Sequence, residues 1–407
     1  MKQSVCLYFR VHQPFRLKSY TQSQVGADHC YIDEAGDESA IDKLADECYL
    51  PANSTILSNI NKTKGDFRLN FSISGTTLEL LLKYRPDVVD SFKELVNTGS
   101  VEMLAETYYN SLSFLYSKKE FARQVGKHSQ VIRKIFGVEP RVFRNTELIY
   151  NNSLAQCIYQ LGYNGILCEG IERLLKGRTA NNIYAAPNTG ELALLLRNSR
   201  LSDDIAFRFD DKTWNEYPLT SDKFAQWIHS LPANEQVVNL FMDYETFGVH
   251  KTKETGIFDF LGVLPQAILA NKSFQFNTVS HAIDQHYPQD LYDIPLTISW
   301  EDKAEASCVW CENARQNNTL KKIYSLEKFI LNSSSDLLIE SWGRLQSADY
   351  IFHMAEHAQG RKYINDVEPQ DAYEQYKNIV TDLEIMLIKE QLKKNKLDFI
   401  PLTHNVY

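Results

Sequence analysis

No apolar run in this 407-residue chain approaches the roughly 20 residues that a helix needs to cross a bilayer, so a helical membrane span is not expected. No glycine-rich phosphate loop is present, and no organic cofactor is implied. Clusters of Lys and Arg are also missing. A formal net charge of −9 offers no attraction to nucleic acid or to an anionic membrane. The seven cysteines are scattered and odd in number, which fits a reducing cytoplasm better than a disulfide framework. Cys308 and Cys311 form a lone CxxC with neither a second pair nor nearby His, so zinc would lack its usual four ligands and no metal is expected. The start, MKQSVCLYFRVHQPF, has one Lys and an apolar run broken by Arg10 and His12, without a small-residue cleavage site. It reads as a first strand.

Aromatic residues, by contrast, are plentiful. Twenty-two Tyr, twenty-one Phe and five Trp suggest a cleft that stacks on flat ligand faces, sugars among them, although most must be core packing. Strand-like and helix-like segments alternate through about the first 285 residues, as in a parallel sheet wrapped by helices. Six or seven strands emerge, enough for a barrel. Beyond about residue 300, NARQNNTLKKIYSLEKFIL, SDLLIESWGRLQSADYIFHM and DAYEQYKNIVTDLEIMLIKEQLKKNK read as helices. The division expected is a catalytic barrel over 1–290 and a helical domain over 291–407. The connecting DLYDIPLTISW is not Gly/Ser-rich, so the two are expected to pack together and share the cleft.

Four extended stretches end in an acid: VEMLAE at Glu106, VFRNTE at Glu147, GILCE at Glu169 and VVNLFMD at Asp243. The C-terminal ends of parallel barrel strands are where catalytic groups sit, so each is a candidate acid, base or nucleophile. Each is equally a candidate cap for the helix that follows.

The segments VCLYFRVHQPFRL, GSVEMLAETYYNSL, FRNTELIYNN, DIAFRFDDKTWNEYPLTSDKFAQWI and FMDYETFGVH, in that order, resemble the signature regions of glycoside hydrolase family 57, in particular its alpha-amylase-like members. The resemblance implies an α/β fold, an incomplete TIM-like (β/α)7 barrel followed by a helical C-terminal domain, acting on α-linked glucans with retention of configuration and without a cofactor. It makes Glu147 the nucleophile and Asp243 the general acid/base. A retaining pair stands about 5–5.5 Å apart, one carboxyl ionised and the other protonated. Burial beside a negative neighbour is expected to keep Asp243 protonated, while Arg or His⁺ near Glu147 keeps that group ionised. Arg144, three residues before Glu147, is one such cation; strand alternation puts the two side chains on opposite faces, so contact with a helix stands as the alternative for Arg144.

By the same resemblance His12 lines the subsite of the reactive sugar, where a lone His would otherwise read as a core residue. Glu106 stands near the catalytic centre, with a structural role open to it, such as orienting His12 by a hydrogen bond. Glu245 and His250 read as site walls, with helix capping the alternative for Glu245. Trp214, Trp300, Tyr108 and Tyr109 are candidate stacking platforms, with core packing the default. Trp300 and Asp302 resemble the segment at the barrel–helical junction, and Asp349 the last signature region, contributed by the helical domain. Asn110, where the family more often has His, Val249, where it more often has Glu, and the divergent SWEDKAEASCVWCENARQ leave substrate preference open. The expected activity is cleavage of α-1,4 bonds of glycogen, starch or maltodextrins. A 4-α-glucanotransferase or branching enzyme, or a catalytically weak carbohydrate-binding protein, stands beside it. A deacetylase-like metal enzyme is disfavoured because no HxxxH or His-Asp cluster lies at strand ends.

Overall fold

Seven of the apolar runs become the strands of a parallel ring in the computed structural model, which describes residues 2–190, 192–300, 309–355 and 368–397; Ile183–Ala185, Phe274–Phe276 and Asp290–Leu291 are short strands paired beside it. The ring strands are β1 (Gln3–Val11), β2 (Leu69–Ile73), β3 (Val101–Met103), β4 (Val142–Arg144), β5 (Gly165–Glu169), β6 (Ala193–Arg197) and β7 (Val237–Asp243). Parallel ladders join β1 to β2 and β7, β2 to β3, β4 to β5, and β5 to β6. Two joints are thinner. Between β3 and β4 a single bridge pairs Ala105 with Phe143, the Ala105 amide donating to Val142 O at 3.0 Å and the Arg144 amide to Ala105 O at 2.8 Å. Between β6 and β7, Asn198 N donates to Asn239 O and Asn239 Nδ2 donates to Leu196 O, both at 2.9 Å. The ring so closed is an incomplete (β/α)7 barrel.

Strand alternation explains both its stability and its chemistry. On β1, Cys6 and Tyr8 share one face; Val142 of β4, Leu167 of β5, Ala193 and Leu195 of β6, and Val237 and Phe241 of β7 join them in one buried cluster. Continue two residues along each strand and the same face presents Arg10, Arg144, Glu169, Arg197 and Asp243, all at the C-terminal ends. An apolar plug therefore carries a charged layer at the end where barrel enzymes place their sites.

The helices follow their local signals. Pro86 splits the stretch after β2 into Gly75–Tyr84 and Pro86–Asn97, since Pro cannot continue the first helix. Asn151 caps Asn152–Gln160 by accepting from Leu154 N at 2.9 Å. None of the four strand-end acids caps a helix in this way; Asp243, which leads into the short turn Tyr244–Thr246, makes no side-chain capping bond. A helical run over 34–62, with a wide π turn at Ala45–Tyr49, fills sequence that carries no clear periodic signal.

The chain divides into two compact units by more than one cut: Met1–Gln13, Ala35–Asn110 and Phe121–Cys308 form the barrel unit. The second takes Pro14–Glu34, Ser111–Glu120 and the described part of Val309–Tyr407. Its helices include Ala314–Ser325, Asp336–Arg344, Ala348–Phe352 and Pro369–Leu397. Buried Asp382 anchors the first excursion, accepting from Gly26 N at 2.6 Å, His29 Nδ1 at 2.8 Å and the Tyr31 hydroxyl at 2.5 Å. Gln346 Nε2 anchors the second, donating to Glu120 Oε1 at 3.0 Å.

Candidate active site

Strand β4 stops at Arg144, and the chain then turns through Thr146–Leu148, where Glu147 (φ 54°) and Leu148 (φ 49°) are left-handed. Such a backbone is uncommon for side chains of this size and points to a constrained site. It also breaks the alternation on which the helix-facing alternative for Arg144 depends. Arg144 is fully buried in the barrel, its Nη1 3.6 Å from Glu106 Oε2 and its guanidinium 5.7 Å from the Trp300 ring centre, not against a helix.

Glu147 uses both oxygens: Oε1 accepts from Arg10 Nη2 at 3.0 Å, and Oε2 accepts from the Trp300 indole Nε1 at 2.9 Å. Arg10 Nη1 donates to Asp243 Oδ1 at 3.2 Å. One buried guanidinium thus spans the two carboxyls singled out as a pair, which draws them together across the barrel.

That contact corrects the expected protonation of Asp243. Burial pushes its carboxyl up, but the charge of Arg10, with His250, the Arg10 hydrogen bond and Arg144, outweighs burial and holds it below the usual Asp range. The raised carboxyl is its neighbour Glu245, pushed up to about 7 by burial and by the charge of Asp243. Buried Glu245 accepts at Oε1 from the Tyr49 hydroxyl at 2.6 Å and faces Gln13 Nε2 at 3.5 Å, so it is not a helix cap. Across the ring, burial likewise lifts Glu169 to about 7 against the opposing charge of Arg197, with Asp203 adding to the rise. Arg197 Nη1 lies 3.3 Å from Glu169 Oε2, and its Nε donates to Phe241 O at 2.9 Å.

Glu245 makes stability depend on pH. Between its ordinary 4.5 and about 7 the folded chain holds a proton that the unfolded chain has lost, so stability falls as pH rises through that window. The Tm of Glu245→Gln should therefore fall less than wild type between pH 5 and pH 8, Glu169 supplying the residual slope; the effect is at most on the order of 3 kcal/mol.

The remaining candidates divide. Trp300 reaches the site as a hydrogen-bond donor to Glu147, with Arg197 also 6.0 Å from its ring centre. His12 is buried, its Nδ1 2.7 Å from Ser74 Oγ. Glu106 faces Arg144 with one oxygen and has no hydrogen-bond partner on the other, so it does not orient His12. His250 acts on Asp243 through its charge, and its amide donates to Glu245 O at 2.9 Å. Trp214 packs edge-on against Trp227 at 6.0 Å and lies under Arg208. Tyr108 and Tyr109 are buried against one another and under Lys127. Asp349 belongs to the helical unit, where it accepts from Ser347 Oγ at 2.5 Å. Asp302 and Cys308 lie outside the described residues. Among the described residues no group of three or more His, Cys, Asp or Glu could hold a metal ion.

Residues 6–295 match the sequence profile of glycosyl hydrolase family 57. The chain belongs to that family. It is 39% identical over 412 residues to a putative alpha-amylase of Methanocaldococcus jannaschii, covering 96% of this chain and 86% of that one. Among solved structures, a family 57 branching enzyme from Thermococcus kodakaraensis superposes with a TM-score of 0.71 at 14% identity, over 98% of this chain and 92% of that one. The 4-alpha-glucanotransferase of Thermococcus litoralis gives 0.70 at 15% identity, over 95% of this chain but only 60% of its own. At these identities the superpositions speak to the fold alone.

Arg10, Arg197 and Tyr49 join the site of this family 57 barrel without having been expected there. Arg10 has a signal, a cation interrupting an otherwise apolar strand two residues before His12. Arg197 has the same one at the end of ELALLLR. Tyr49 has none, since its helical run carries no strand-end mark.

Proposed function

We propose that the chain is a retaining glycosidase acting on α-1,4-linked glucans of the glycogen, starch or maltodextrin type, with Glu147 as nucleophile and Asp243 as general acid/base. The observation that carries the reading is Arg10 within hydrogen-bond reach of both carboxylates, with Trp300 completing the shell of Glu147. In the first half-reaction a Glu147 oxygen attacks the anomeric carbon while Asp243 gives its proton to the departing glycosidic oxygen. In the second, Asp243 takes a proton from the attacking water and Glu147 leaves. Backbone turned out of the strand at Glu147 aims the carboxylate, and the Trp300 N–H stabilises the charge that returns to it. Free cysteines at positions 6, 30, 48, 157, 168 and 311 support a reducing, cytoplasmic location.

A second reading is favoured by a sequence relative named as a 4-alpha-glucanotransferase: the same glycosyl-enzyme is intercepted by a sugar hydroxyl instead of water. Incubation with maltoheptaose, followed by chromatography over time, separates the two. Products shorter than the input alone support hydrolysis; a ladder extending above it makes the chain a transferase. Intact maltoheptaose, glycogen and pullulan at high protein concentration would overturn both and favour a binding protein.

A further inference from the structure

We infer that Arg10 is a specificity-determining residue: lodged between Glu147 and Asp243, it favours glycosyl donors whose leaving group departs without a proton. The inference rests on the proposed roles of those two carboxyls and adds a substrate class to them.

Charged groups surround Asp243 on several sides. From β1 comes Arg10, 3.2 Å away and buried. Beyond it, on the turn after β4, is Glu147, whose negative charge shares the same guanidinium. His250 and Arg144 add positive potential, while Glu245 adds a carboxyl two residues along the chain. A cation in direct contact, supported by two more, favours the carboxylate form of Asp243 over the acid. That suits the second half-reaction, which needs a base, and opposes the first, which needs an acid when the leaving group is a sugar hydroxyl.

The opposition disappears for a donor with an acidic leaving group. With an α-maltosyl fluoride, a Glu147 oxygen bonds to the anomeric carbon as the carbon–fluorine bond breaks, and fluoride carries off the electron pair with no proton required. Water then attacks the anomeric carbon. Its proton passes to Asp243, the bond to Glu147 breaks with its electrons returning to the carboxylate, and Asp243 releases the proton to solvent. Maltooligosaccharides, whose leaving oxygen must be protonated, are consumed only through chains with Asp243 protonated, a form that the adjacent Arg10 disfavours and that becomes rarer as pH rises.

The test measures kcat/KM for α-maltosyl fluoride and maltoheptaose from pH 4 to pH 8, for wild type, Arg10→Gln and Arg10→Lys. For wild type the fluoride rate is expected to stay level while the maltoheptaose rate falls steeply with rising pH. In Arg10→Gln the ratio between the two donors at pH 7 is expected to narrow by at least tenfold, because two neighbouring carboxyls without a shared cation raise one another. Arg10→Lys, which keeps a charge but cannot fork to both carboxyls, is expected to fall between. Parallel pH profiles for the two donors in wild type overturn the inference even if both variants fail to fold, and so does an unchanged ratio in variants that fold. Wild-type turnover of neither donor removes the underlying assignment of Glu147 and Asp243 instead. Turnover of both that survives Glu147→Gln does the same.

Discussion

Glu147→Gln is expected to lower turnover of maltoheptaose by about 10⁴-fold or more, since an amide cannot form the glycosyl ester and losses of this order accompany removal of an enzymic nucleophile. The fold should survive. A Gln side chain has one acceptor where Glu147 has two, and those two meet donors from Arg10 and Trp300. One donor therefore faces the new amide, at a cost of about 1–3 kcal/mol. A modest fall in Tm with near-complete loss of rate is the expected pair of results. Glu147→Gly supplies a sharper check. With maltosyl fluoride and added azide, a small anion can occupy the space left by the carboxylate and attack in its place, giving a glycosyl azide of inverted configuration. A variant that keeps wild-type turnover would refute the nucleophile assignment outright.

The second large effect concerns stability. Gly248 follows the DYETF segment at φ +115°, and a Cβ built there would stand 1.9 Å from the carbonyl oxygen of Glu47. Backbone, not a flexible side chain, occupies that space. Gly248→Ala combines a disfavoured conformation with a main-chain collision, and is expected to cost about 4 kcal/mol or more, a size reached by few single substitutions. The collision would push apart the loop carrying Glu245 and the π turn carrying Tyr49, which are joined by the 2.6 Å hydrogen bond. Thermal unfolding measures it; a Tm within a degree or two of wild type would contradict this picture of the loop.

These residues show which parts of the molecule can be read from sequence. The strands β5 and β6 are legible because their apolar runs are uninterrupted and end in a charged residue, β7 because its run is broken only at Asn239 before Asp243, and β1 because its run is broken only at Arg10, one residue before its end. Glu147 and Asp243 could be singled out together because NTE and DYETFG stand in family order, and Arg10 contacts both. Two of the four acids, however, do not end strands: β3 stops at Met103 and β4 at Arg144, three residues short of Glu106 and Glu147. Period-two reasoning does not survive the left-handed turn at Glu147, and so could not choose between the two placements open to Arg144. The charge state of Asp243 escapes it for a different reason. It depends on Arg10, 233 residues away in sequence, and long-range pairing between two strands of a closed barrel leaves no local mark. Tyr49 likewise meets Glu245 only through a helix that carries no periodic signal.

The two thin joints of the ring give it a grain. They divide the seven strands into two half-shells, β7–β1–β2–β3 and β4–β5–β6, each knit by full ladders and sewn to the other by a few bonds along two seams. Arg10 and Asp243 ride on the first shell, and Glu147 follows the second. The Arg10–Glu147 contact is therefore a latch across a seam. A shift of one shell against the other would change the distance from Glu147 to Arg10 and Asp243, so the pairing of the two carboxyls depends on how tightly the seams are sewn.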